Sequence, residues 1–211
     1  MNYLQQYFPH LNTEEYSAFF LCANVIIAIC VTIVVFSVII DFIKYHQPGQ
    51  HKKKTRSGVE TGTMFLYFFF YYILLRVRFG RINFSSPVLA DVLIFAGIIL
   101  VVSGSWVNVS GRLALKQNWA NQVTIYHHQQ FISHGAYKWV RHPLYASLIW
   151  MFCGAAMVYG SWLAFLSVFA VFVPMMIYRA KQEEKLLREE FSEYADYQIK
   201  TGMLFPKFFK L

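Results

Sequence analysis

Two clusters of titratable residues flank an apolar stretch of the chain. The first, "GAYKWVRHPLYAS" (Gly135–Ser147), holds Tyr137, Lys138, Arg141, His142 and Tyr145. The second, "YRAKQEEKLLREEF" (Tyr178–Phe191), holds Arg179, Glu183 and Glu184. Arg179 and Glu183 are four residues apart and share a helix face, which Leu186 continues. Glu184 and Arg188 form a second pair at the same spacing. The chemistry available is electrostatic. A guanidinium fixes an anion through its planar fork, tyrosine rings offer faces to a cation, and an imidazole donates a hydrogen bond or moves a proton near neutral pH. Two blander readings stand beside this one. Lys138, Trp139 and Arg141 also suit an interfacial anchor, and the second cluster also suits a solvated helix laced with ion pairs.

The elements that position these clusters are apolar. The 211 residues are 57% hydrophobic and only 14% charged, well below the charge content of soluble domains. Tyr16–Ile40, Val92–Gly111 and His142–Tyr178 contain no Asp, Glu, Lys or Arg, and Thr61–Leu75 is a shorter run of the same kind. A helix that crosses a bilayer needs ~20 apolar residues. The net charge of +8 sits in loops, where it sets topology and meets anionic headgroups; a nucleic-acid partner is not expected. The first residues carry Glu14 and Glu15 and no base, so the first apolar run reads as a retained span and not as a signal peptide.

The run Leu144–Tyr178 is 35 residues long. As one helix it would extend about 52 Å, against a hydrocarbon core of ~30 Å. Gly160-Ser161 lies at its middle, which predicts a helical hairpin with a kink at Pro174 in the second arm. The hairpin returns Arg179 to the membrane face that carries Arg141 and His142. The expected fold is all-α: a polytopic membrane protein in one domain, 1–211, with about five spans near 16–40, 61–80, 87–107, 144–159 and 162–178. Basic residues follow the first span and the last, and none precede the first. This bias sets the N-terminus outside and the C-terminus in the cytoplasm, and leaves Arg76, Arg78 and Arg81 outside against the rule.

The ordered motifs resemble a family. "GAYKWVRHPLY", a hairpin, "R-x3-EE-x2-L", "F-x2-Y-x2-Y" and "TG-x-LFP" are similar to those of the isoprenylcysteine carboxyl methyltransferases. These belong to a wider group that includes phospholipid N-methyltransferases. The resemblance covers about Arg112–Phe208. It implies S-adenosyl-L-methionine as cofactor, in a cytoplasmic pocket built from motifs in 129–145 and 179–206. Carried over residue by residue, it implies cofactor contacts at Gln129, Gln130, Phe131, Ile132, Tyr137, His142, Pro143, Tyr145 and Glu183. It implies a substrate-contacting, catalytic role for Arg179 beside Glu183. Partners are then the bilayer and a lipophilic or prenylated acceptor, in a bacterial inner membrane or the endoplasmic reticulum. Ser147, Ala136 and Asn118-Trp119 stand where the family often has Gly, Pro and Leu-Gly; Ser and Ala are small enough to preserve close packing.

The residue chemistry agrees with methyl transfer, which needs alignment and electrostatic support more than covalent catalysis. Glu183 suits a cation or hydroxyl, Tyr137 and Tyr145 suit adenine or a sulfonium, and His142 suits the cofactor carboxylate. A carboxylate acceptor needs no base, whereas an amine acceptor needs His142 or Glu183 to take a proton. Other classes fit less well. His127, His128, His134 and His142 lack metal-ligand spacing, so no metal is expected. No phosphate-binding glycine loop is present. A sterol-type membrane reductase using NADPH typically lacks the paired acids Glu183-Glu184. Cys22, Cys30 and Cys153 read as buried small apolar groups.

Overall fold

The structure, a computed structural model, describes residues 13–45, 51–54, 61–76, 80–82, 86–119, 124–126 and 129–207. Helices α1 (Thr13–Tyr45), α2 (Thr61–Arg76) and α3 (Pro87–Leu115) come first. α3 starts at Ser86, whose Oγ accepts from Leu89 N at 3.4 Å, with Pro87 next in line. Pro is tolerated there because the first N–H of a helix has no partner to lose. Two short strands, β1 (His51–Lys54) and β2 (Thr124–Tyr126), pair antiparallel, with Lys53 opposite Ile125. The described residues are mainly helical, as expected, with this ribbon in addition.

The long apolar run folds back on itself. α4 (Pro143–Val158) ends at Tyr159 and Gly160, whose φ of 61° suits a residue without Cβ. Ser161 then caps α5 (Trp162–Ser167) by accepting from Ala164 N at 3.3 Å. Residues 168–172 form a π-helical turn before α6 (Val173–Glu190). Pro174 has no N–H to give to Ala170, and the helix widens into this turn just upstream of the proline. The second arm also runs beyond Tyr178, because its polar half is still helical. A last helix, α7 (Tyr194–Lys200), turns back towards the site.

Among the described residues, three stretches are long and apolar enough to cross a membrane: Ala18–Tyr45, Pro87–Asn118 and Trp162–Glu190. Gly62–Arg76 and Pro143–Val158 are apolar and shorter. These helices fit an integral membrane protein. Leu21, Phe36, Phe69, Trp106 and Cys22 face outward, where lipid replaces water. Cys22 is therefore not buried, unlike Cys30 and Cys153. The aromatic run splits by helix face: Tyr67 and Tyr71 enter the core while Phe69, Phe70 and Tyr72 point out.

The core lies where α2, α4 and the α5–α6 arm meet. Tyr67 stacks on Phe172 at 4.9 Å, and Phe172 and Met176 are fully buried. α3 and α4 touch backbone to backbone. A Cβ on Gly97 would sit 2.6 Å from Gly154 O, and one on Gly154 would sit 2.5 Å from Gly97 O. Small residues are what such close helix crossings in membranes require. At the hairpin turn, Ile82 N donates to Gly160 O and Trp162 N to Gly80 O, both at 2.9 Å. Arg81 thus lies at the end of the molecule that holds Gly160. Arg78 lies outside the described residues.

Candidate functional site

The site forms where the chain's last described segment pins the entry to α4. Arg141 N donates to Gly202 O at 2.8 Å and His142 N to Met203 O at 3.0 Å. A short 3-10 turn, Gly135–Lys138, precedes them, and Gly135 takes the positive φ of 63° that opens it. The "TG-x-LFP" motif is therefore a clamp on the Arg-His-Pro motif.

Two carboxylates on adjacent positions of α6 face this clamp differently. Glu184 is 3% exposed at its side chain. Its Oε1 accepts from Arg141 Nε at 2.7 Å and lies 3.0 Å from His142 Nε2, while Oε2 accepts from Gln198 Nε2 at 2.6 Å. Arg141 Nη1 also donates to the carbonyls of Gln198, at 3.1 Å, and Thr201. The expected Glu184–Arg188 pair gives way to this inward one, because the rotation of α6 turns Glu184 into the protein.

Glu183 is the accessible acid, with 25% of its side chain exposed. Tyr145 Oη donates to its Oε1, Arg179 Nε donates to the same oxygen at 3.2 Å, and His142 Nδ1 lies 3.6 Å from Oε2. Arg179 Nη1 reaches Met64 Sδ on α2 at 3.4 Å. The His142 and Tyr145 rings stack in parallel at 5.4 Å. Burial disfavours the imidazolium, but Glu183 and Glu184 on either side outweigh it, and the His142 pKa rises above its ordinary value. With both ring nitrogens facing glutamates, His142 is poorly placed to receive a third carboxylate.

A cavity of about 360 Å³ connects these groups. Gln129, Gln130, Phe131, Ile132, Tyr137, His142, Tyr145, Arg179 and Glu183 all line it. Pro143 does not: it opens α4, where its ring presets the backbone and offers no polar group. Gln130 N donates to Asn118 Oδ1 at 2.7 Å, and Tyr197 Oη donates to Tyr137 O at 2.5 Å. Phe131 packs among Phe191, Tyr194 and Tyr197, with centroids 5.9, 5.7 and 5.1 Å away. The apolar lining comes from Val34 and Val38 of α1, Phe65 and Phe68 of α2, and Leu148 of α4.

Sequence reasoning missed part of this lining. Arg112 and Asn118 line the cavity without having been singled out for it, while Tyr194 and Tyr197 line it as the tyrosines of the F-x2-Y-x2-Y motif. Asp41 pairs with Arg112 at 2.7 Å. The available signal was that Asp41 and Arg112 each close an apolar run. Among the described residues, no group of three His, Cys, Asp or Glu side chains gathers as a metal site. His127 and His128 lie outside the described residues.

No curated protein matches the chain. Residues 92–194, which run from within α3 through α6 and carry both glutamates of the site, match the family model of phospholipid methyltransferases, in keeping with the wider phospholipid and isoprenylcysteine membrane methyltransferase group that the motifs resemble.

Proposed function

We propose that the chain transfers a methyl group from S-adenosyl-L-methionine to a lipophilic acceptor at the membrane, with a carboxylate acceptor of the isoprenylcysteine type as the first reading. The observation that carries it is one cavity whose lining combines the Arg179–Glu183 pair with the aromatic and amide groups of 129–137 and with apolar side chains of α1, α2 and α4. The donor set fits the cofactor. A partly accessible carboxylate suits its cationic part, aromatic faces at Phe131 and Tyr137 suit its base, and backbone groups of 129–132 suit its polar edges.

When bound, the cofactor supplies an electrophilic methyl on a sulfonium. The protein's part is alignment. Tyr145, Arg179 and His142 fix the Glu183 carboxylate in one rotamer, so it meets a cation without reorganising. Arg179, held by Glu183 and Met64, presents its fork to an anionic acceptor. Glu183 already accepts from two donors on one oxygen, which makes it a poor proton acceptor for a neutral amine. This favours a carboxylate, which needs no base. The second reading is a phospholipid amine acceptor, favoured by the family match. It requires His142 or Glu183 to take the proton.

The topology belongs to the same reading: one membrane unit over 1–211, five membrane-embedded segments, the N-terminus outside and the C-terminus cytoplasmic. The cofactor then enters from the cytoplasm and the acceptor sideways from the bilayer. Titration of the detergent-solubilised protein with S-adenosylhomocysteine, beside Glu183→Ala and an NADPH control, tests the core of it. Saturable binding that the variant loses is the expected result. Heat with NADPH alone moves the protein to the reductases, and binding of neither compound by folded protein overturns the proposal. Methyl transfer to a prenylcysteine analogue against a phosphatidylethanolamine vesicle then separates the two acceptors.

A further inference from the structure

One charged group on the cavity wall has no task in the proposed reaction. Arg112 of α3 lines the cavity that holds Glu183. Its guanidinium is fixed from two sides: Nη1 donates to Asp41 Oδ2 at 2.7 Å, and Nε donates to Asn108 Oδ1 at 2.9 Å. Asn108 donates in turn to Ser147 Oγ at 2.8 Å, and both are fully buried. Three helices, α1, α3 and α4, therefore set the orientation of one side chain. Nη2 has no hydrogen-bond partner among the described residues.

The proposed cofactor is a zwitterion at its amino-acid end. Glu183 answers the ammonium. The carboxylate needs a cationic donor that is not already engaged. His142 faces two glutamates. Arg141 is spent on Glu184 and the carbonyls of Gln198 and Thr201. Arg179 is turned to Glu183 and to Met64, on the acceptor side. That leaves Arg112, which lines the cavity with Asn118 and Gln130. Tyr137 lies within reach of both charges. Burial first, and then Glu183, raise its phenol pKa, and Arg112 opposes them.

We infer that Arg112 binds the carboxylate of the cofactor's methionine moiety, in a setting fixed by Asp41 and Asn108. This rests on the cofactor reading given above. An interaction with a charged partner of this kind accounts for about tenfold or more in affinity.

The test uses two probes on the full-length protein in detergent: S-adenosylhomocysteine and its decarboxylated analogue. Wild type is expected to prefer the carboxylated probe by about tenfold or more. Arg112→Gln is expected to bind both alike, at the wild-type affinity for the decarboxylated probe. Retained binding of that probe also reports that the variant is folded. Should Arg112→Gln fail to fold, Arg112→Lys, which keeps the charge opposite Asp41, is expected to retain only part of the preference. Equal weakening of both probes by Arg112→Gln would make Arg112 a structural brace and overturn the inference. An unchanged preference in either variant would overturn it too, and a raised KM for an anionic acceptor alongside would assign the residue to the acceptor. Wild type that binds neither probe fails the cofactor reading itself, a different result from wild type that binds both without preference.

Discussion

Arg141 Nε donates to Glu184 Oε1 at 2.7 Å, and that contact joins the entry of α4 to the middle of α6. The pair is buried, with 7% and 3% of the two side chains exposed. Removing one partner of such a pair strands the other charge, at a cost of about 3–5 kcal/mol. Glu184→Ala is therefore expected to lower the thermal midpoint in detergent sharply. Arg188→Ala removes the partner that helix spacing alone assigns to Glu184, and should cost less than about 0.5 kcal/mol. Equal losses in the two variants would count against the inward pairing.

The same cluster makes stability depend on pH. The His142 pKa is raised in the folded protein above its ordinary 6.5, since the two glutamates outweigh burial. A raised folded value means that the stabilising contribution is complete below the ordinary value and fades as pH rises through the folded one. Wild type should therefore lose stability across the window above the ordinary value, while His142→Gln shows a flatter curve there. Midpoints measured between about pH 6 and about pH 9 decide it; parallel curves would remove His142 from the account.

Local rules made part of this molecule legible. Composition and uncharged runs marked the membrane helices, Gly160 marked the hairpin turn, and the Arg179–Glu183 spacing put both groups on the cavity wall. What stayed hidden is tertiary. Glu184 satisfies the local rule with Arg188, yet its partner Arg141 lies 43 positions away. Asp41 and Arg112 are 71 apart and meet only once α1 packs on α3. Which face of a helix turns inward depends on its neighbours, and spacing within the helix does not carry that. The π-helical turn was half legible: Pro174 announced a disturbance, and its form followed from the missing N–H.

The crossing of α3 and α4 carries the site, because Asn108 and Ser147 meet across it. Gly97 and Gly154 permit the approach, each leaving no room for a Cβ on the other. Gly154→Val should force the helices apart and destabilise by about 1–3 kcal/mol or more. Gly62, with no atom within 4 Å of an added Cβ, is the control. Gly62→Ala should be neutral or gain about 0.5–1 kcal/mol from helix propensity. Thermal unfolding of both variants checks the contrast, and a Gly154→Val protein as stable as wild type would refute the close crossing.

Tyr145 separates the two contributions that its position makes. Its hydroxyl donates to Glu183, and its ring stacks on His142 at 5.4 Å. Tyr145→Phe keeps the ring and removes the donor. Glu183 then keeps Arg179 and His142, so the fold should hold while the carboxylate gains rotational freedom. A hydrogen bond to a charged group is worth about 1.5–3 kcal/mol; part of that should appear as a roughly tenfold loss in S-adenosylhomocysteine affinity. Tyr145→Leu removes the ring as well and should lower the thermal midpoint in addition. Titration and thermal unfolding of both variants make the comparison. Unchanged affinity in Tyr145→Phe would mean that Arg179 and His142 alone suffice to hold Glu183 in place, and preorganisation by the tyrosine would have to be abandoned.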